Sequence, residues 1–289
     1  MKIVYLGNFE NPFSDATEKH IASSLEALGH EVVRINEKDY KISDVLAHKG
    51  DLFLFHKGGT STGSDLPKLI ELLNKVTCKK VFWYFDKVYQ ERILWMETVI
   101  PFVDHGFLTD ETYIRRNNYR NISVLRQGVG DAHAHLGEFK ERYMNDIVFL
   151  GSVYGDRDKF TNALEQVYGQ RFRIINGIFG NKLNDLCAST KVFVAPIFPQ
   201  DNFYWSSRVY QILGAGGFLI HPRFEGLKEE FTKEELVTFT DGNDLREKID
   251  YYLDPNNEEE RNRIRLAGHK KVIEKYKYSD RVKEMMSRI

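Results

Sequence analysis

Apolar segments typical of buried strands alternate with helix-like segments along almost the whole chain, and this alternation restricts the fold more than any other feature. The first series of apolar segments is KIVYLG, EVVRIN, DLFLFH, KKVFWYFD, HGFLTD and ISVLRQGV. A second series follows a polar stretch near residues 131–145 and comprises DIVFLG, FRIING, KVFVAPIF, GFLIHP and VTFTDG. Strands separated by helices in this way indicate parallel sheets that are covered on both faces. We therefore predict an α/β protein with two doubly wound, Rossmann-like units and a ligand site at the carboxyl ends of the strands.

The composition is that of a globular protein with no strong electrostatic preference. The chain has 289 residues, of which 42% are hydrophobic, and a net charge of −1, so its bulk charge does not indicate nucleic acid or an anionic membrane. Cys78 and Cys187 are far apart and form no CxxC motif, which is typical of a reducing compartment. The apolar run near the N-terminus is too short for a signal peptide, and no run is long enough to span a membrane. We expect a cytoplasmic protein without a membrane segment.

The segment 204–224, YWSSRVYQILGAGGFLIHPRF, has the pattern of a loop, a short helix, a glycine break and a buried strand. Ser206 and Ser207 are good N-cap residues, and the free N–H groups of the first turn are expected to converge with both hydroxyls and with Arg208. This combination suits a phosphate or diphosphate. Gln211 lies four residues after Ser207 on the same helical face, where it is placed to reach sugar hydroxyls beside the phosphate. The alternative interpretation is an ordinary capped helix that packs on a sheet.

The run SRVYQILGAGGFLIHPRFEGLKEEF, residues 207–231, resembles the C-terminal nucleotide-binding signature of group 1 glycosyltransferases, particularly the spore-maturation-type branch. The resemblance implies the GT-B fold, in which two Rossmann-like domains face a central cleft. It implies an acceptor domain at residues 1–140, a nucleotide-sugar donor domain at 141–275, and a helix at 276–289 that returns to the first domain. The family has a ribose-binding Glu where this chain has Gln211, whose amide still forms hydrogen bonds but lacks the charge of a carboxylate.

The loop after the first strand of the second unit, GSVYGDRDKF, supplies a second candidate for phosphate binding. Gly151 and Gly155 allow the backbone to approach a ligand closely. Arg157 enters the following helix, where the resemblance implies a donor-binding role; a surface Arg in a charged turn is the alternative. Tyr204 and Trp205, in the loop before the donor helix, are candidates for stacking on a base or a sugar, and packing against the neighbouring domain is the alternative. The complete set of predicted donor-binding residues is Gly7, Gly151, Tyr154, Arg157, Asn176, Gly177, Pro196, Tyr204, Ser206, Ser207, Arg208 and Gln211.

Two candidate catalytic residues of the first unit end apolar segments: His56 follows DLFLF, and Asp86 follows KKVFWYF. His56 is expected to contact the transferred sugar or the leaving phosphate, and Asp86 to orient an acceptor or act as general base. The alternative for each is a structural role in its own loop. The sequence does not indicate a nicotinamide enzyme, because no GxGxxG follows the first strand, or a P-loop ATPase, because the chain lacks GxxxxGK[ST]. We interpret GGTSTG at 58–63, which lacks the lysine of a phosphate loop, as a flexible turn.

Asp131, His133 and His135 form a DxHxH pattern whose members share one face of an extended chain, which suggests a metal site. No further ligand stands at a useful spacing, so we predict no metal site. The resemblance implies the same, because GT-B enzymes neutralise the diphosphate with helix N-termini and basic side chains. We expect no bound cofactor, and a UDP- or GDP-linked sugar as co-substrate.

The sequence and the resemblance together predict a metal-independent glycosyltransferase that moves a sugar from a nucleotide diphosphate donor to a hydroxyl acceptor, and the resemblance favours retention of configuration. The acceptor remains open between a glycan, a small molecule, a protein and modified DNA bases, as in phage-type glucosyltransferases. A DNA acceptor requires a basic stripe, for which Arg115, Arg116, Arg120 and Arg126 are the suggestive cluster. Two further alternatives are a non-catalytic nucleotide- or sugar-binding module, suggested by Gln211, and a nucleotide-sugar epimerase on the same fold.

Overall fold

A computed structural model describes residues 1–11, 16–57, 65–196 and 200–289. These residues divide into two compact units, of which one comprises residues 1–127 and 278–289 and the other residues 128–277. The turn predicted for GGTSTG at 58–63 lies outside the described residues.

The first unit is built on a parallel sheet of six strands. Its elements are β1 Lys2–Gly7, α1 Thr17–Ala27, β2 Glu31–Asn36, α2 Ile42–Ala47, β3 Leu52–Phe55, α3 Leu66–Lys75, β4 Lys79–Tyr84, α4 Glu91–Val99, β5 His105–Leu108, α5 Glu111–Asn117 and β6 Ile122–Val124. The strand order is β2-β1-β3-β4-β5-β6. All four residues of β3 are buried, because this strand lies between β1 and β4 and has helices on both faces.

The second unit repeats the plan with a parallel sheet of five strands. Its elements are β7 Asn145–Leu150, α6 Asp156–Tyr168, β8 Phe172–Ile175, α7 Asn181–Ser189, β9 Thr190–Val194, α8 Arg208–Gly214, β10 Leu219–Pro222, α9 Leu227–Glu230, β11 Val237–Phe239, α10 Gly242–Leu253 and α11 Glu258–Lys275. The strand order is β11-β10-β9-β7-β8. Alternate residues of the strands enter two separate apolar cores, one on each face of this sheet. The predicted doubly wound α/β class is therefore confirmed in both units.

The last helix, α12 Tyr278–Arg288, packs on α1 and completes the first unit. The Tyr278 ring stacks on His20 with centroids 5.5 Å apart, and its hydroxyl lies 3.1 Å from Oγ1 of Thr17. Arg281 donates from Nε to the carbonyl of Gln127 over 3.1 Å. The first unit thus consists of two segments of the chain, separated by the entire second unit.

Residues 128–140 belong to the second unit, whereas the resemblance implied a boundary after residue 140. The amide of Val129 donates to the Tyr276 carbonyl over 3.0 Å. The Asn184 side chain donates to the carbonyls of His133 and His135 over 3.0 and 2.7 Å, respectively. The boundary lies earlier because this polar stretch gains its backbone hydrogen bonds from the second unit.

Gly137 fixes the docking of this stretch on α7, and we expect Gly137→Ala to destabilise the protein by at least about 2 kcal/mol. A Cβ at this position would overlap the backbone carbonyl of Asn184, which belongs to a helix and cannot move aside. Urea unfolding measures the loss. The matched control is Gly242→Ala, because a Cβ on Gly242 meets nothing within 4 Å. Equal stability of the two variants would contradict the predicted docking.

Candidate functional site

The carboxyl ends of β7, β8 and β9 lie side by side and hold several of the predicted ligand-binding residues. Since β7 pairs with both β8 and β9, the residues that follow the three strands share one edge of the sheet. Gly151 follows β7 and donates its amide to the Ile175 carbonyl at the end of β8 over 2.8 Å. Asn176 and Gly177 follow β8 and are exposed, and Pro196 follows β9. The structure therefore brings these predicted residues together.

Arg208 lies across this edge and binds three protein oxygens. Nη1 donates to the Leu150 carbonyl over 2.8 Å, Nη2 to the Pro196 carbonyl over 3.4 Å, and Nε to Oγ of Ser206 over 3.2 Å. A guanidinium has five N–H donors, and two of those of Arg208 have no partner among the described residues. A Cβ on Gly151 would lie 2.7 Å from Nη1 of Arg208. Glycine at this position gives the arginine the space that it occupies.

Arg157, in the first turn of α6, is the second cation of the site. It donates from Nη1 to the Ser152 carbonyl over 3.2 Å, and its guanidinium lies 4.3 Å from the ring centroid of Tyr154. Its Nε is buried and has no hydrogen-bond partner among the described residues. Within residues 1–11, 16–57, 65–196 and 200–289, neither Arg157 nor Arg208 forms an ion pair with a carboxylate. Burial and the charge of Arg157 lower the pKa of Arg208 to about 10, so Arg208 remains a cation at neutral pH.

Helix α8 differs from the sequence expectation at its first residues. Ser207 occupies the N-cap position, but no side-chain hydrogen bond caps the helix. The Ser206 hydroxyl instead accepts from Arg208 and helps to orient the guanidinium. The Gln211 side chain is half-buried and forms no hydrogen bond with any described residue. Ser207 is therefore the N-cap residue, as predicted, but its hydroxyl makes no capping hydrogen bond. The hydrogen-bonding groups of Gln211 have no partner among the described residues.

Of the two aromatic residues before α8, Trp205 is not available for stacking. Its side chain is buried in the core, and its Nε1 donates to the Tyr210 hydroxyl over 2.9 Å. The Tyr210 hydroxyl in turn donates to Glu230 over 2.6 Å. Tyr204 is half-buried, and Tyr154 is 61% exposed beside Arg157. If a base or sugar stacks at this site, the side chains open to it are those of Tyr204 and Tyr154.

The comparisons with known proteins give the family of the chain. Residues 133–287, which include the whole edge just described, match the family model described as glycosyl transferase-like. The chain belongs to this family. The resemblance to glycosyltransferases is thereby confirmed, and the protein is an enzyme of the glycosyltransferase class; the match does not single out the spore-maturation-type branch. No curated protein sequence matches this glycosyltransferase significantly.

Solved structures similar to this glycosyltransferase have the GT-B fold. Sucrose-phosphate synthase from Thermosynechococcus elongatus matches with a TM-score of 0.70 and 11% identity, over 100% of this chain and 98% of its own. HepE from Anabaena, in complex with UDP and glucose, matches with a TM-score of 0.67 and 12% identity, over 100% and 99%. An alpha1,3-fucosyltransferase with GDP-fucose matches with a TM-score of 0.58 and 11% identity, over 99% and 88%. The predicted GT-B fold is confirmed.

His56, predicted to touch sugar or phosphate, lies inside the first unit of the glycosyltransferase and is only 2% exposed. Its Nδ1 donates to the Trp83 carbonyl over 2.5 Å, and its Nε2 accepts from the Tyr5 hydroxyl. Burial lowers the pKa of His56 to about 4, so the ring is neutral. This geometry favours the structural alternative, because both ring nitrogens already have protein partners.

Gly7 and Asp86 lie at the edge of the first sheet where its parallel strands end. Gly7 is the last residue of β1, and Asp86 stands two residues after the end of β4. Asp86 is partly exposed and pairs with Lys57, while Nη2 of Arg92 lies 3.8 Å from the same carboxylate oxygen. Gly7 ends β1, and a Cβ there would lie 3.0 Å from Cγ of Glu18. The carboxylate of Asp86 thus lies beside two cations, and its role towards an acceptor stays a prediction.

Glu18 is a candidate that the sequence reasoning missed. It lies in the first turn of α1, and its carboxylate accepts a hydrogen bond from the backbone amide of Asn8. Burial raises the pKa of Glu18, whereas the nearby charge of Lys57 lowers it. The available signal was an acidic residue in the first helical turn after the first strand, a position that also has an ordinary explanation as a helix-dipole partner.

The structure describes no metal centre and no membrane span. Within the described ranges, no group of three or more His, Cys, Asp or Glu side chains is placed to hold a metal ion. His135, from the DxHxH pattern, lies 3.3 Å from Asn181 through its Nε2. No helix among the described residues is long and apolar enough to cross a membrane.

Proposed function

We propose that this glycosyltransferase moves a sugar from a nucleoside diphosphate sugar to a hydroxyl acceptor. The observation that carries the proposal is the pair Arg157 and Arg208, two neighbouring cations at a strand edge without a carboxylate among the described residues. A diphosphate supplies the negative charge that this pair needs. The structural neighbours HepE, in complex with UDP-glucose, and the fucosyltransferase with GDP-fucose support UDP or GDP as the nucleotide.

The other residues of the edge have corresponding roles in this proposal. Arg208 and Arg157 bind the diphosphate, and the Ser207 hydroxyl and Gln211 amide bind the ribose or the transferred sugar. The surroundings of the base and sugar are formed by Gly151, Tyr154, Asn176, Gly177, Pro196 and Tyr204. Because Ser206 accepts from Arg208, it acts by orienting the guanidinium.

The chemistry that we propose uses the charges of the chain and no metal ion. The bond between the anomeric carbon and the phosphate oxygen breaks, and its electron pair stays on the diphosphate. Arg157 and Arg208 stabilise that developing charge. The acceptor oxygen attacks on the same face, which retains the configuration, and its proton passes to the leaving phosphate oxygen. Asp86 orients the acceptor.

Calorimetric titration with UDP, GDP, ADP, CMP and dTDP tests the donor site. We expect one nucleoside diphosphate to bind selectively, and Arg157→Ala to weaken it about tenfold or more, because one charge-assisted contact to phosphate is lost. Arg208→Ala would also remove three protein hydrogen bonds, so Arg208→Lys is the second variant. The control is Arg263→Ala, an exposed charge on α11. Binding of none of the five, or equal affinity in all variants, would refute the site.

A non-catalytic nucleotide-binding protein is the second candidate, because Gln211 stands where the family has a carboxylate. An assay for release of the nucleotide from the sugar nucleotide distinguishes a transferase from a binding protein, because only the transferase breaks the bond between sugar and phosphate. Tight binding without transfer or hydrolysis would favour the binding protein. Conversion of the free sugar nucleotide without any acceptor would instead favour an epimerase.

A further inference from the structure

Trp205, Tyr210 and Glu230 form a chain of hydrogen bonds beside the proposed diphosphate site. Nε1 of Trp205 donates to the Tyr210 hydroxyl over 2.9 Å, and that hydroxyl donates to Oε2 of Glu230 over 2.6 Å. Trp205 and Tyr210 are each only 1% exposed. We refer to these three residues as the hydrogen-bond chain. It joins the loop before α8, α8 itself and α9.

A second contact holds the same loop against the start of α9. The amide of Gly226, directly before α9, donates to the Asn202 carbonyl over 2.9 Å. A Cβ on Gly226 would lie 3.0 Å from Cδ1 of Phe203 and 3.2 Å from Cζ3 of Trp205, so glycine allows this close packing. Residues 202–205 are therefore fixed to α9 at two points, once through the backbone and once through side chains.

The residue directly after this part of the loop orients the arginine of the site. Ser206 follows Trp205 along the chain, and its Oγ accepts from Nε of Arg208 over 3.2 Å. Tyr210 lies two residues after Arg208, in the first turn of α8. The hydrogen-bond chain thus fixes the backbone on both sides of Arg208. A guanidinium binds a diphosphate well only when its N–H groups are aligned with the phosphate oxygens.

The hydroxyl of Tyr210, and not its ring, is the part on which the hydrogen-bond chain depends. The ring packs beside Tyr276 and Phe231, with ring centroids 5.6 and 6.3 Å away, and phenylalanine would keep this packing. Without the hydroxyl, the buried N–H of Trp205 would lose this acceptor, which is costly. The loop would lower that cost by moving Trp205 towards water, and Ser206 would move with it.

We propose that Tyr210 is a positioning residue for donor binding, which holds the loop before α8 and thereby keeps Arg208 aligned with the diphosphate. Tyr210 acts through Trp205 and Ser206, because its own side chain is buried. Glu230 fixes the direction of the Tyr210 hydroxyl by accepting its hydrogen bond. The inference rests on the proposed function and adds to its donor site a residue from the core of the second unit.

Calorimetry with the nucleoside diphosphate that the unaltered chain binds tests this role. We expect Tyr210→Phe to raise the Kd at least about tenfold, because Arg208 is no longer held in line with the diphosphate. Tyr168→Phe is the matched control, since Tyr168 is 9% exposed and its hydroxyl donates to Oδ1 of Asp250 over 3.1 Å. Both variants should melt at a lower temperature, because each loses a hydrogen bond of a buried tyrosine. Tyr168→Phe should nevertheless change the Kd less than about twofold.

A second variant shows whether the effect passes through Trp205. Trp205→Phe removes the donor of the same hydrogen bond. Adding Tyr210→Phe to Trp205→Phe should therefore change the Kd less than about threefold. If Tyr210→Phe does not give a native circular dichroism spectrum, Glu230→Gln serves in its place, with an expected rise in Kd of about threefold or more.

Three results would each overturn the inference: an unchanged Kd in Tyr210→Phe, a rise no larger than that of Tyr168→Phe, or the same rise with and without Trp205→Phe. The first two would limit the Tyr210 hydroxyl to a role in stability. The third would show that it does not act through the loop. Absence of nucleotide binding in the unaltered chain would instead refute the proposed function, and this inference with it.

Discussion

Gly151→Ala is expected to weaken nucleotide binding at least about a hundredfold, which corresponds to roughly 3 kcal/mol. Gly151 has φ +132°, a conformation that side chains rarely adopt, and a Cβ there would lie 2.7 Å from Nη1 of Arg208. The arginine would have to leave its position at the end of β7 to accommodate the methyl group. It would then lose its hydrogen bond to Leu150 and its alignment with a diphosphate. Calorimetry with the nucleotide selected by the panel measures the loss.

Gly155→Ala provides a matched control in the same loop. Gly155 also has a positive φ, +58°, but a Cβ there meets nothing within 4 Å. Gly155 also has ψ −131°, so the control includes backbone strain of about 1–3 kcal/mol without a collision with Arg208. We expect it to lower the melting temperature while nucleotide affinity falls less than about fivefold. Equal loss of affinity in both alanine variants would show that loop strain, and not the position of Arg208, determines binding.

Most of the fold could be predicted because buried parallel strands must be apolar on both faces and are separated by helices. β3 is an example: its sequence, LFLF, is apolar at every position and is buried at every position. The domain boundary could not be read in the same way. The docking of Gly137 on the backbone of Asn184 joins positions 47 residues apart, and no local pattern reveals such a contact.

The candidate site was predictable to the extent that it depends on glycines and on the start of a helix. Gly151 and Arg208 stand at such positions, and the structure places them in contact. His56 shows the limit, because a position at a strand end does not reveal whether the side chain points into the core. Glu18 was missed for a related reason. Its neighbours Asn8, Lys57 and Asp86 come from three other segments, and only the sheet order brings them together.

Acidification is expected to destabilise the first unit through His56 and the second through His221. Both rings are completely or almost completely buried, and burial lowers the pKa of each to about 4 from an ordinary value of 6.5. Nδ1 of His221 donates to the Pro222 carbonyl over 2.9 Å, and Nε2 has no partner among the described residues. Between about pH 6.5 and pH 4 the unfolded chain binds more protons than the folded one. Stability is therefore complete above this window and falls as the pH is lowered through it.

The expected loss at pH 4 is up to about 3 kcal/mol for each histidine, a large part of the 5–15 kcal/mol that is usual for a folded domain. Urea unfolding at pH 7, 5.5 and 4 measures this loss for the unaltered chain and for His56→Gln and His221→Gln. Each variant starts from a lower stability, because it disturbs a buried position, but it should lose less on acidification. The control is His135→Gln, at an exposed position. If the stability of all four proteins fell equally with pH, the fold would not be lowering the pKa of either buried ring.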